Sequence, residues 1–338
     1  MGWRWRVLLV LALAFALLVP WLGDSYVLKL ATRILIFALA ATALDLVLGL
    51  GGLVSFGHAA FLGLGAYVVG IMFLHDFEGS TFLGIAPTQN IFLQFLLAAA
   101  LAGGFALVTG AVCLRTRGVA FIMITLAFAQ MLFYFFVSLR RYNGEDGIAL
   151  WSRSLGGWLD LEEQRVFYYF ALACLLLFLA FAFRLYHSRF GRVIRGSKDN
   201  DRRMQALGFP TYRYRLTAYV LSAAVTAIAG VLLANATYFV GPSYLSWHMS
   251  GQLIVMVVLG GIGTLLGPVL GATLFILLEE FLPDALDLMV NGAGEYWRLV
   301  LGPLLVLVAL FARRGLLGAL VGGQRPPLPV AADRHSES

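Results

Sequence analysis

The chain has 338 residues, 61% apolar and only 12% charged, about half the charged share of an ordinary soluble domain. Such a chain cannot cover its surface with polar groups, which excludes a water-soluble globular class and sets most of the surface against lipid. The net charge of +6 comes from 22 arginines and two lysines, and no Gly-Lys-Ser or Gly-Lys-Thr follows a glycine-rich turn. A P-loop is therefore excluded, and the positive surplus is read as a membrane-sidedness signal, with no nucleic-acid partner expected.

A helix needs about 20 apolar residues to cross the hydrocarbon. The first run of this kind, 7–22, follows Arg4 and Arg6. It lacks a small-x-small cleavage site at Pro20-Trp21-Leu22-Gly23, so it is read as a retained helix and not a signal peptide. Further runs cover 28–48, 53–74, 91–114, 119–139, 166–185, 216–240 and 297–312. Residues 251–282 form a long apolar stretch broken by Gly260, Gly261, Gly263 and Gly267-Pro268, which predicts either two short helices or a re-entrant pair. The fold class expected is an all-α, polytopic membrane bundle of eight to ten transmembrane helices, some of them broken or re-entrant.

Between the runs lie two polar stretches. Residues 140–165 mix charges and hold a turn-rich cluster from Tyr142 to Gly147, while 186–214 carry the densest basic block in the chain. With the N-terminus inside, 17 of the 24 basic residues fall on the inward segments, and both termini are expected in the cytoplasm of a bacterial inner membrane. A transmembrane domain over 1–316, with a cytoplasmic loop at 186–214, would be followed by a disordered Pro-, Arg- and Ser-rich tail over 317–338. Cys113 and Cys174 are isolated in apolar runs and suit neither a disulfide nor a metal site.

Four motifs in fixed order carry a resemblance. Gly49-x-x-Gly52-x-x-Ser55-x-Gly57-His58-Ala59-x-Phe61 comes first, then Arg115-x-Arg117-Gly118 with Thr125-Leu126-Ala127-Phe128. Next is Ser188-Arg189-Phe190-Gly191-Arg192, with Arg195, Asp199-Asn200-Asp201 and Ala206-Leu207-Gly208. The fourth is Val257-Val258-Leu259-Gly260-Gly261-x-Gly263, with Gly267-Pro268 and Gly271. Together they resemble the permease subunits of ATP-driven branched-chain amino acid importers, in the longer of the two permease types. Two departures stand out: Asp45 occupies a position where the family usually has Asn, and Leu53-Val54 replaces a common Gln.

The resemblance implies a non-enzymatic channel subunit. Its implied partners are a homologous second permease, two cytoplasmic ATPases that bind the ATP, a periplasmic substrate-binding protein and membrane lipid. No cofactor or metal belongs to this chain. Urea or short amides are the second substrate class, and an ion-coupled secondary transporter is a further alternative, thinly supported because Asp45 alone lies deep in an apolar run. An intramembrane enzyme would need a third group to orient His58 toward Ser55, and none is evident.

Broken helices whose ends face one another suit a zwitterion, because freed N–H groups attract a carboxylate and freed carbonyls an ammonium. Asp45, Ser55, Gly57, His58, Gly260, Gly261 and Gly263 are therefore the candidate path residues. Packing glycines, a His58 bonded to a neighbouring group and an interfacial Asp45 are the competing readings. Arg189, Gly191, Arg192, Arg195, Asp199, Asp201, Ala206 and Gly208 match the segment that couples the permease to its ATPases.

Overall fold

The computed structural model describes residues 16–21, 23–81, 87–157, 159–289 and 293–303. Six helices among them are long and apolar enough to cross a membrane, and strand is confined to one two-residue pair. The chain is thus an all-α polytopic membrane protein, as its composition requires. Most of the expected 7–22 helix, most of 297–312 and the tail lie outside the described residues, although 16–21 and 297–303 are helical.

Helix α1, Ser25–Asp45, continues as one π-helical turn, Leu46–Leu50. Helix α2 is His58–Phe77, α3 is Ile91–Cys113, α4 is Val119–Ser138 and α5 is Gln164–His187. The polar 186–214 stretch folds as α6, Arg189–Ala206, followed by the long α7, Thr211–Thr237. Helices α8, Trp247–Gly260, and α9, Gly267–Met289, complete the set.

Helix α1 is the axis of the bundle. Of its most apolar stretch, 89% is buried, against 28% for α3 and for α4, so α1 is walled in by α5, α7, α8 and α9 while α3 and α4 turn apolar faces outward. A sequence that is apolar all round suits both situations, in line with the weak amphipathicity of these helices.

Helix α2 packs extensively along α7, and the reason is small residues. A side-chain carbon on Gly65 would overlap the carbonyl of Ala227, and one on Gly230 would overlap the carbonyl of Leu62. Mutual glycines let the two backbones touch, which is how membrane helices gain packing without a hydrophobic driving force between them. Similarly, Gly260 and Gly271 hold α8 against α9.

The helices have two distinguishable ends. At one, the 140–163 loop carries the strand pair, Ile148–Ala149 with Phe239–Val240, antiparallel with Ile148 opposite Val240. Arg153, 3% exposed, stitches this loop: Nε donates to the Asn235 carbonyl at 3.1 Å, Nη1 to Leu161 at 2.9 Å, and Gln164 takes Nη2. Its guanidinium also lies over Phe167. The other end carries α6. The positions of these two polar stretches at opposite ends follow from the odd number of crossings between them.

Candidate functional site

Two regions of the α6 end and the bundle interior are built from the motif residues, and a third, an open cavity, is not. The path candidates come first.

Helix α2 does not start where its apolar run starts. Residues 51–57 are non-helical, so the chain climbs back into the bundle before α2 begins at His58, whose N-cap is Gly57. Helix α8 is likewise short, 14 residues with Ser246 as cap, preceded by the 3-10 turn Pro242–Leu245. The two helix starts meet: Ser250 Oγ accepts from Ala59 N at 3.0 Å and donates to the Phe56 carbonyl at 2.7 Å. The first-named broken segment therefore faces the start of α8, through a serine that no motif flagged.

Ser55 and His58 are wholly buried. Ser55 Oγ accepts from Gly57 N at 3.2 Å and closes a local turn. His58 Nε2 lies 2.9 Å from Ser222 Oγ, and Ser222 donates onward to the Ala43 carbonyl. With its one proton committed, Ser222 accepts from His58, which places a proton on Nε2. The ring stands edge-on to Phe61 and Tyr219, 5.4 and 5.8 Å between centroids. In this conformation His58 ties α2 to α7 and α1; it faces no open space.

Asp45 is also fully buried, and both of its oxygens are used. Oδ1 accepts from Gly263 N at 2.8 Å and Oδ2 from Tyr186 OH at 2.7 Å. Gly263 sits in the turn between α8 and α9 at φ +75°, next to Gly261 at φ +120°, conformations that favour glycine. Gly49 lies against the same turn, where any side chain would overlap Asp45 and the Gly263 backbone. The two glycine-rich motifs are thus in contact, with Asp45 as the clasp between them. Gly260 and Gly261 are buried behind it and Gly263 is exposed.

The coupling candidates divide by exposure. Arg189, Arg192, Arg195, Asp199, Ala206 and Gly208 face outward, while Gly191 and Asp201 are buried. Ser188 caps α6 by accepting from Gly191 N at 3.3 Å. Gly191 is small because the carbonyls of Leu185 and Tyr186 press against it. Asp201 anchors the helix underside: Arg117 from the α3–α4 turn pairs with one oxygen, and Arg215 at 3.4 Å with the other. The helix also kinks at Asn200, φ −153°, whose Oδ1 accepts from Arg203 N at 3.0 Å and restarts it. Lys198 donates to the Gly49 carbonyl at 3.0 Å, joining α6 to the clasp.

A cavity of about 810 Å³ opens toward the 140–163 loop. Its walls are mainly apolar, including Phe133, Val255, Phe275 and Trp297, with Ser243, Ser246, His248 and Gln252 along one side and Glu145 and Arg298 as the charged pair. None of the path candidates from the motifs lines it. Sequence reading missed these residues because they come from a loop, a strand, a 3-10 turn and four helical segments and share no pattern.

Among known proteins, the family model described as branched-chain amino acid transport system / permease component matches residues 26–309. The high-affinity branched-chain amino acid transport system permease protein LivM of Escherichia coli K12 is 28% identical over 336 residues, covering 92% of this chain and 75% of that protein. LivM of Salmonella typhimurium is 28% identical, covering 92% of this chain and 73% of its own. LivH of Salmonella typhimurium, the corresponding LivH permease protein, is 27% identical, covering 83% and 91%. No solved structure matches the chain.

Proposed function

The chain belongs to the permease components of branched-chain amino acid transport systems, and from that membership we propose that it is one transmembrane subunit of an ATP-driven importer of branched-chain amino acids. It pairs with a homologous second permease, receives substrate from a binding protein on the side of the 140–163 loop, and is driven by two ATPases docked at α6. In this scheme α6 and both termini are cytoplasmic, in the inner membrane, and the chain itself performs no chemistry on ATP or substrate. The permease domain spans 1–316 and the remainder is a cytoplasmic tail.

The observation that carries the proposal is α6. A short helix lies with basic and polar side chains exposed while its underside is pinned to the α3–α4 turn and α7 through Asp201. Solvated charges alone need no such anchoring; a lever does, because force applied to a loosely held helix is not transmitted. The cavity supports the substrate class. A guanidinium and a carboxylate set on apolar walls complement an amino acid zwitterion with a hydrocarbon side chain, and a pocket of this make-up is the usual form of a small-molecule site. In this reading the buried motif residues, Ser55, Gly57, His58 and Gly260 to Gly263 with Asp45, shape the path by packing its walls.

The test is uptake of labelled leucine into proteoliposomes holding both permeases, both ATPases and external binding protein. ATP-dependent uptake is expected, lost when the ATPases are omitted. Arg189→Glu with Arg192→Glu should leave the protein folded and abolish ATPase stimulation by loaded binding protein. Gradient-driven uptake by this chain alone would overturn the proposal in favour of a secondary transporter.

A further inference from the structure

A buried carboxylate in a membrane helix carries an insertion cost of roughly 3 kcal/mol, so it is retained where its contacts do something an apolar side chain could not. Asp45 adds directional bonds between three packed elements. Its backbone closes α1, one oxygen holds the α8–α9 turn at Gly263, and the other holds Tyr186, in the last turn of α5. Tyr186 is in turn the residue on which α6 rests: its carbonyl accepts from Arg195 and presses on Gly191. Lys198 adds a second strand to the same junction through the Gly49 carbonyl. The junction includes the π-helical turn Leu46–Leu50, a geometry that accumulates at functional sites because it leaves backbone free to rearrange.

We propose that Asp45 and Tyr186 are positioning residues of the transport cycle, forming the linkage that delivers movement of α6 to the α8–α9 turn and so to the helices bearing the cavity wall. This rests on the reading of α6 as the ATPase docking site. The geometry distinguishes the linkage from general packing. The bonds run through a directional pair, hydroxyl to carboxylate to backbone N–H, and not through an apolar face. The hairpin they grip leads directly to Gln252 and Val255 on α8 and Phe275 on α9, which line the cavity. Movement of α6 that pulls Tyr186 pulls Asp45, and Asp45 cannot shift without releasing or carrying Gly263.

The test uses the complete reconstituted complex with loaded binding protein, reading uptake and ATP hydrolysis in the same vesicles. Tyr186→Phe removes one hydroxyl and leaves the ring. Uptake per ATP should fall roughly 3- to 10-fold, the range of mutations that weaken coupling between sites, while ATPase stimulation stays within about twofold of the unaltered complex. Asp45→Ala removes both acceptors and should lower the ratio similarly, and the double variant should fall no further than the worse single one, since both interrupt one linkage. Should Asp45→Ala fail to assemble, Tyr186→Phe alone still decides. Equal losses of uptake and hydrolysis, leaving the ratio unchanged, would assign a merely structural role and overturn the linkage. An unchanged ratio with normal rates would overturn it as well. Absence of ATP-dependent uptake in the unaltered complex would instead overturn the transport reading, and the linkage with it.

Discussion

Asp45 and Arg153 show the same rule at opposite ends of the bundle: a charge taken out of water is kept only where its hydrogen bonds are met in full. Arg153 answers three backbone carbonyls and a glutamine from 3% exposure, and burial draws its proton affinity below the ordinary arginine range without depriving it of charge. Replacing it strands those acceptors. Arg153→Met should lower stability by about 3 kcal/mol, read as a clear fall in the thermal unfolding midpoint in detergent. An unchanged midpoint would mean that the loop is held by its strand pair instead. Neither role was visible beforehand. Asp45 announced itself as an odd carboxylate in an apolar run, but its partners Gly263 and Tyr186 lie 218 and 141 residues away, and Arg153 looked like one of several charges in a polar loop.

Among elements, the apolar runs 91–114 and 119–139 were legible and match α3 and α4. The structure supplies the chemical marks: Asn90 caps α3 by accepting from Phe92 N at 3.0 Å, and Ser188 before α6 and Gly208 after it bracket that helix. The late start of α2 was not legible, because 53–57 are apolar enough to extend the run and the freed backbone there is satisfied by Ser55 within it and by Thr125 and Ser250 on other helices. The long 251–282 stretch resolves into a hairpin of unequal arms. Its turn is set by Gly261 and Gly263, and the arms close because Gly260 and Gly271 let them touch. The glycines of the α2–α7 contact make a sharper prediction. Gly230→Leu would drive a side chain into the Leu62 carbonyl, and overpacking of about 1–3 kcal/mol or more should cut the yield of folded protein in size-exclusion chromatography. Gly104→Leu, where nothing lies within 4 Å, should leave the yield unchanged. Equal yields from the two would refute the packing role.

For the whole molecule the prediction concerns sidedness. Among the described residues eleven basic side chains, Arg115, Arg117 and the nine from Arg184 to Arg215, fall on the end that carries α6, and positive charge near short loops is retained on the cytoplasmic side. In a chain with Cys113→Ala and Cys174→Ala, a cysteine at Arg202 should react with an impermeant maleimide only in inside-out vesicles. One at Glu145 should react only in right-side-out cells. The reverse pattern would put α6 beyond reach of any cytoplasmic ATPase and dismantle the proposed function. The open cavity belongs to this scale too, since residues from separate parts of the chain meet there and no local pattern could have gathered them.

By itself the sequence determined the solvent, the helical class and the six crossing segments found among the described residues, and it set an expectation of sidedness. Each depends on composition over about 20 residues or on a charge asymmetry, and a bilayer leaves few alternatives to a chain of that kind. It also located the motifs. Only the tertiary structure decided what they do: that His58 is a buried tie, that Asp45 clasps two glycine-rich segments, and that the cavity lies among residues outside the motifs. Those outcomes depend on which surfaces meet. Helices apolar on every side carry no periodicity to say which face is inward, so contact partners arise from the shape of small residues and single hydrogen bonds across distant segments.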